Sequence, residues 1–168
     1  LSLYVEHFRA AERTFSLLTQ VVGRAGRGDK TGRAIIQTYT PGNDVIQAAA
    51  SQDYQRFYEN EIELRRLRRC PPFADLFTIT LSGVEEGVIF RAALGVRDSL
   101  RRLFPGGEIL GPAPPPLLKV NERYRYRLLL TGRNDRETRE RISRLLKDFA
   151  ADRANRGLHI SAECNAAD

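Results

Sequence analysis

The stretch RYRYRLLLTG, Arg123 to Gly132, alternates in character residue by residue. Successive side chains on a strand point to opposite faces. Arg123, Arg125 and Arg127 therefore share one face, and Tyr124, Tyr126, Leu128 and Leu130 share the other. The apolar face needs a covering layer, and the flanking sequence supplies it. RETRERISRLLKDFA (136–150) reads as a helix, with Ile142, Leu145, Leu146 and Phe149 at i, i+3, i+4 and i+7 and Asn134 or Asp135 as cap. GLHISAE (157–163) reads as a final strand. On the other side, EILGPAPPPLLKV (108–120) is extended but broken by prolines, which suits an edge strand or a bulged one. EEGVIFRAALGVRDSLRRLF (85–104) is helical, with Ala92, Val96, Leu100 and Leu103 on one stripe. FADLFTITLSG (73–83) is a strand, with Leu76, Thr78 and Thr80 opposite Phe77, Ile79 and Leu81. The order is β-α-β-β-α-β, the ferredoxin-like split βαβ arrangement of an α+β (α/β) domain. Two helices cover one face of an antiparallel sheet, and the other face is left open.

Cys70-Pro71-Pro72 closes what comes before, because proline disfavours helical geometry in the residue preceding it. Upstream, helices are expected over Glu12–Val22, Val45–Ala50 and Tyr54–Arg68. In the first, Phe15, Leu18 and Val22 form the apolar stripe, widened by Leu17 and Val21. Gly23, Gly26 and Gly28 are expected to stop it, each costing about 1 kcal/mol relative to alanine. RAIIQTY (33–39) is β-branched and aromatic and reads as a strand. Pro41-Gly42-Asn43-Asp44 is a turn that offers an N-cap.

The chain has 168 residues, a net charge of +6 and a pI near 9.7. Its lysines are Lys30, Lys119 and Lys147, and every other basic residue is arginine. Arginine suits phosphate, because its planar fork donates paired hydrogen bonds. A basic balance favours a polyanionic partner. No apolar run approaches the ~18 residues that a membrane helix needs, and no signal-peptide pattern is visible. Cys70 and Cys164 are far apart, and histidines number two, so no zinc site is expected and no residue here is assigned to a metal. Methionine is absent even from position 1, so Leu1 is expected to be a cut point in a longer protein.

QVVGRAGRG (20–28) invites comparison with a phosphate cradle. Gly23 and Gly28 have the Walker spacing, but Asp29 stands where lysine is required, and Lys30-Thr31 comes one place late. The glycines also follow a helix, whereas anion cradles use the amides at a helix start. The pattern Gln-x-x-Gly-Arg-x-Gly-Arg, borne by Gln20, Gly23, Arg24, Gly26 and Arg27, resembles motif VI of superfamily-two helicases. Arg24 and Arg27, three apart on a helical end, would project to one side. Arginines so placed suit the charge on a transferred phosphoryl group, an effect worth roughly 10³–10⁵ in rate. A glycine-rich helix end with solvated arginines is the plain alternative.

The surroundings extend the likeness. FRAAERTFSLLTQVVGRAGRG, IIQTY, ELRRLRRCPPF, LGPAPPP and RYRYRLLL together resemble the C-terminal part of the primosomal replication-restart helicases, the primosomal protein N′ (PriA) family, from about Phe8 to Ile160. The resemblance implies an ATP-dependent 3′→5′ DNA helicase that recognises stalled or branched forks. Residues 1–50 would end the second RecA-like lobe, 51–71 would be a helical linker, and 72–168 would be a ferredoxin-like DNA-binding domain. Arg24 and Arg27 would be catalytic once the partner lobe is present, and Gln20, Gly23 and Gly26 would line the nucleotide. ATP and Mg²⁺ are implied as cofactors of the whole protein, with zinc held outside this chain. Single-stranded and forked DNA, single-strand-binding protein and primosome proteins are the implied partners, in the bacterial cytoplasm at the nucleoid. A Walker loop and a DExH box are missing from these residues, so the chain alone is expected not to turn over ATP.

Arg123, Arg125 and Arg127, with Lys119 on the preceding segment, form the candidate DNA-binding set, and the tyrosines are expected in the core. A solvated strand face is the plain alternative. Arg65, Arg66, Arg68 and Arg69 could serve either DNA or the dipole of their helix. A ribosomal-protein-like RNA or protein interaction module remains the alternative reading of the whole.

Overall fold

The computed structural model of the chain describes residues 8–25, 33–115 and 117–166. These fall into two compact units, divided between Arg68 and Arg69.

The N-terminal unit is helical: α1 (Ala10–Ala25), α2 (Asp44–Ala50) and α3 (Tyr54–Leu67). Asn43 caps α2, its Oδ1 accepting from the Val45 amide at 3.0 Å, and Asp53 caps α3 through the Arg56 amide. The core is small. Phe15, Ala48, Ala49 and Phe57 are buried, with Ala11, Leu18 and Val45 packed around them. The rings of Phe15 and Phe57 stack at 4.2 Å. Arg65 ties α3 to the start of α1, donating to Glu61 at 2.8 Å, to Glu12 at 3.2 Å and to the Phe8 carbonyl. Partial burial works against its charge, but the two carboxylates outweigh that and raise its pKa. α3 lies within the stretch 51–71 read as a helical linker, and its Phe57 packs into this core.

Three expectations fail in this unit. The helix does not stop at Gly23 but continues to Ala25; one glycine costs only about 1 kcal/mol, and the rest of the helix carries it. Gly26 and Gly28 lie outside the described residues. Leu17 and Val21 do not join the buried stripe; they are 64% and 59% exposed. Residues 33–39 form no strand, and Ile35 is 91% exposed. A strand is held by the hydrogen bonds of a neighbour, and among the described residues this unit has none to offer.

The C-terminal unit has the expected order: β1 (Asp75–Gly83), α4 (Glu86–Leu103), β2 (Glu108–Ala113), the short β3 (Lys119–Val120), β4 (Arg123–Gly132), α5 (Arg136–Ala151) and β5 (His159–Cys164). The sheet runs β2-β4-β1-β5, with β3 also paired to β4, and every pairing is antiparallel. Phe77, Ile79 and Leu81 of β1 and Leu128 and Leu130 of β4 face Ile89, Ala93, Val96 and Leu100 of α4 and Ile142, Leu145 and Phe149 of α5. Each of these Leu, Ile, Val and Phe side chains, fully buried, contributes about 1.5–3 kcal/mol. Asp135, not Asn134, caps α5, accepting from the Thr138 amide at 2.8 Å.

The proline-broken segment behaves as an edge. Its pairing with β4 slips between Leu110 and Ala113. Gly111 makes the slip possible. Its φ is +96°, and a Cβ there would meet the Arg127 carbonyl oxygen at 2.6 Å, so only glycine fits. At the far end of the sheet, Asp75 and Asn165 lock the strand termini. Asn165 accepts from the Leu76 amide at 2.9 Å and donates to Asp75 at 2.7 Å, while Asp75 accepts from the Asn134 amide at 2.8 Å.

Candidate nucleic-acid interface

The sheet face away from α4 and α5 is built in rows by strand register. Arg125, Ser82 and His159 lie side by side across β4, β1 and β5; Arg127, Thr80 and Ser161 form the next row; Leu129, Thr78 and Glu163 form the third. The side chains alternate, so all these groups share one surface. On this face Leu76, Leu129 and Thr131 are buried, Thr78, Thr80, Arg125 and Arg127 are half-buried, and His159 and Glu163 are exposed.

The arginines do not simply stand in solvent. All three are half-buried. Arg123 Nη2 donates to the Ser82 carbonyl at 3.2 Å and to the Gly157 carbonyl at 3.1 Å. Arg125 Nη2 donates to the Leu117 carbonyl at 2.8 Å, and its Nε is buried with no partner among the described residues. Arg127 lies between Arg125 and Leu129 on the same face. Backbone carbonyls hold Arg123 and Arg125 in place, while a guanidinium has further N–H groups to offer an anion.

Lys119 departs from the expectation. It lies opposite Tyr124 in register, so it belongs to the tyrosine side of the sheet and not to the arginine row. Its Nζ donates to Glu122 at 2.5 Å and sits 5.3 Å from the Tyr124 ring. The hydrogen bond to Glu122 raises its pKa. The tyrosines pack against the core as expected. Tyr126 donates its hydroxyl to Glu86 at 2.9 Å, and its ring lies 5.3 Å from that of Phe90. Burial, then the bond to Glu86, pushes its pKa up.

Hydroxyl groups complete these rows, and strand alternation alone does not reveal it. Thr78, Thr80 and Ser82 on β1, and His159, Ser161 and Glu163 on β5, carry visible alternation. What brings them beside the arginines is pairing between strands distant in the chain.

On α1, Gln20, Gly23 and Arg24 are exposed. Leu17, Gln20, Val21 and Arg24 recur at i, i+3, i+4 and i+7, so they share one stripe. That stripe lies opposite Phe15, Leu18 and Val22. Gly26 and Arg27 lie outside the described residues. In the second arginine cluster, Arg65 is engaged as above and Arg66 pairs with Glu63 at 2.9 Å. Among the described residues no group of three His, Cys, Asp or Glu could hold a metal, and no helix is long and apolar enough to cross a membrane.

Residues 66–165, spanning the whole sheet and both covering helices, match the family model for the primosomal protein N C-terminal domain. The chain belongs to that family. Its members among characterised proteins include the replication restart protein PriA of Bacillus subtilis, 34% identical over 165 residues, which cover 98% of this chain and 20% of that protein. The Synechocystis protein of the same name is 41% identical over 124 residues, covering 73% of this chain and 15% of the relative. That of Rickettsia conorii is 42% identical over 124 residues, covering 73% and 18%. The chain thus spans about a fifth or less of the length of these relatives. The family match begins in α3 and includes the C-terminal unit to Asn165.

Proposed function

We propose that this chain is the C-terminal part of an ATP-dependent 3′→5′ DNA helicase that recognises stalled or branched forks and restarts replication in the bacterial cytoplasm. The C-terminal unit binds DNA on its open sheet face, and the chain alone does not hydrolyse ATP. The observation that carries the DNA-binding part is the row geometry. Arg125 and Arg127 sit beside Ser82 and Thr80, and arginine and hydroxyl groups are the usual partners of phosphate. Family membership and relatives named for replication restart support the wider role.

In the whole protein, ATP and Mg²⁺ are held by residues outside this chain, and Arg24, in the last turn of α1, reaches the nucleotide together with Arg27. The exposed stripe of Leu17, Gln20, Val21 and Arg24 supports this, since apolar residues beside a motif arginine suit a surface covered in a larger lobe. Zinc is bound elsewhere in the parent protein. Single-strand-binding protein and primosome proteins are its partners.

Fluorescence anisotropy with single-stranded, forked and duplex DNA across salt concentrations tests the reading. Contacts by the three arginines give a log–log salt slope of about −2 on single strands, at ~0.7 per phosphate. R125Q/R127Q, folded by circular dichroism, reduces the slope to about −0.7. Unchanged affinity and slope in that variant would remove the sheet face from the proposal. Steady ATP turnover by the purified chain would contradict the second part.

A further inference from the structure

On the side of the C-terminal unit away from the arginine rows, α4 and α5 both rest on the sheet but part from each other. The cleft between them measures about 560 Å³, within the range of about 300–1,000 Å³ found for binding clefts. Val96, Leu145 and Phe149 line its floor.

The two helices run antiparallel, because β1 and β4 do and each helix returns along the strand before it. Arg141 fixes their alignment by donating to the Leu103 carbonyl at the end of α4, at 2.6 Å. The cleft therefore has two unlike ends. Arg102 and Arg144 stand at one, and Asp148 and Asp152 lie toward the other. Arg144 and Asp152 are about 12 Å apart along α5, at ~1.5 Å per residue. Arg102 is steadied by Ser99, whose hydroxyl accepts from its Nη2 at 2.9 Å. One oxygen of Asp152 accepts from the Ala154 amide at 2.9 Å, which leaves the other. Among the described residues none of these four charged groups has an ion-pair partner.

Gly95 sits midway along the α4 wall. Glycine weakens a helix interior relative to alanine, and nothing in the unit's own packing requires it, since a Cβ there would meet no atom within 4 Å. With Ala92 and Ser99 it places small residues at i, i+3 and i+7 and keeps that wall low.

We propose that this cleft seats an amphipathic helix of a partner protein. Its acidic end lies over Arg102 and Arg144, its basic end over Asp148 and Asp152, and an apolar side chain enters between them above Gly95. Helices laid in grooves are anchored at i, i+3 or i+4, and i+7. Two turns span about 11 Å, which matches the spacing of the charged ends. A segment of one charge throughout, DNA included, meets like charge at one end, so the cleft selects a partner with separated charges. The arginine rows lie on the opposite face of the sheet, so the failure of either proposal leaves the other standing.

Fluorescence anisotropy of labelled synthetic peptides with the full chain tests the cleft. The probe is a blocked helical peptide of about four turns, with glutamates in its first turn, leucines along one stripe and lysines in its last turn. Two controls carry glutamates at both ends or lysines at both ends. The charge-separated peptide binds, and each control binds about tenfold more weakly. R102E/R144E weakens the charge-separated peptide about tenfold and strengthens the lysine-ended one by a similar factor, a gain that misfolding does not produce. Gly95→Leu fills the cleft while α4 stays helical, and lowers affinity about tenfold or more. No binding of the charge-separated peptide up to about 1 mM, equal binding of all three peptides, or binding indifferent to Gly95→Leu overturns the proposal. So does a loss of DNA affinity in R102E/R144E with peptide binding unchanged, which would give these arginines to nucleic acid.

Discussion

The two units of this chain differ in how far each satisfies itself. The C-terminal unit pairs five strands in one antiparallel sheet and buries a row of large apolar side chains between sheet and helices. Among the described residues, the N-terminal unit buries two phenylalanines and two alanines as its core. It leaves Leu17, Val21, Ile35 and Tyr39 in solvent. The first closes its own core, and the second leaves large apolar side chains uncovered among the described residues. Hydrophobic content alone does not separate them, since both contain apolar runs. What separates them is whether each run meets a complementary surface within the unit.

The largest expected effect breaks the better-closed unit. Leu128 is fully buried at the centre of the sheet, and Leu128→Ala costs about 2–5 kcal/mol in a denaturant melt of this unit. Leu17→Ser on the exposed face of α1 stays within ~0.5 kcal/mol. A large loss from Leu17→Ser would mean that the N-terminal unit closes its core after all. Arg65→Ala tests the polar tie between α3 and α1. It removes charged hydrogen bonds to Glu61 and Glu12 and costs roughly 1.5–3 kcal/mol, read as increased protease sensitivity confined to residues 8–68.

Two smaller changes sharpen the picture of the C-terminal unit. Gly95 lies inside α4, lining a cleft of about 560 Å³ against α5, and a Cβ there meets nothing within 4 Å. Gly95→Ala therefore stabilises the unit by about 0.5–1 kcal/mol, seen as a raised melting temperature. A loss of stability would show that the cleft closes in solution. Asp135→Ala lowers the melting temperature by a few degrees at neutral pH, because it removes the cap of α5. The Thr138 amide holds the Asp135 carboxyl below its ordinary pKa. A depressed folded-state pKa makes the contribution full above the unfolded value and lost as pH falls through the folded one. Wild type and variant therefore converge in acid.

The same comparison explains what the sequence made legible. In the C-terminal unit each local pattern agreed with its neighbours. The alternation of Phe77, Ile79 and Leu81 and the helical spacing of Ile142, Leu145 and Phe149 could be joined into one layered fold, and the element order followed. The arginine row was visible because alternation places Arg123, Arg125 and Arg127 together. Its hydroxyl neighbours were not, since Thr80 meets Ser161 only through a pairing across 81 residues. Lys119 was misplaced for a related reason: the β3–β4 turn sets its register with Tyr124, and turn geometry is not written in composition. In the N-terminal unit, residues 33–39 carry strand composition, but strand composition states only what a segment does when an edge is offered. Leu17 and Val21 likewise widen a stripe that the available partners are too small to cover.

Amide hydrogen exchange on the intact chain compares the two units most directly. Amides of β1 and β4 should exchange only through global unfolding of the C-terminal unit, while those of residues 33–39 should exchange near the unprotected rate. Protection at 33–39 comparable with that of β4 would show that the N-terminal unit is complete by itself, and would contradict its reading as part of a larger lobe.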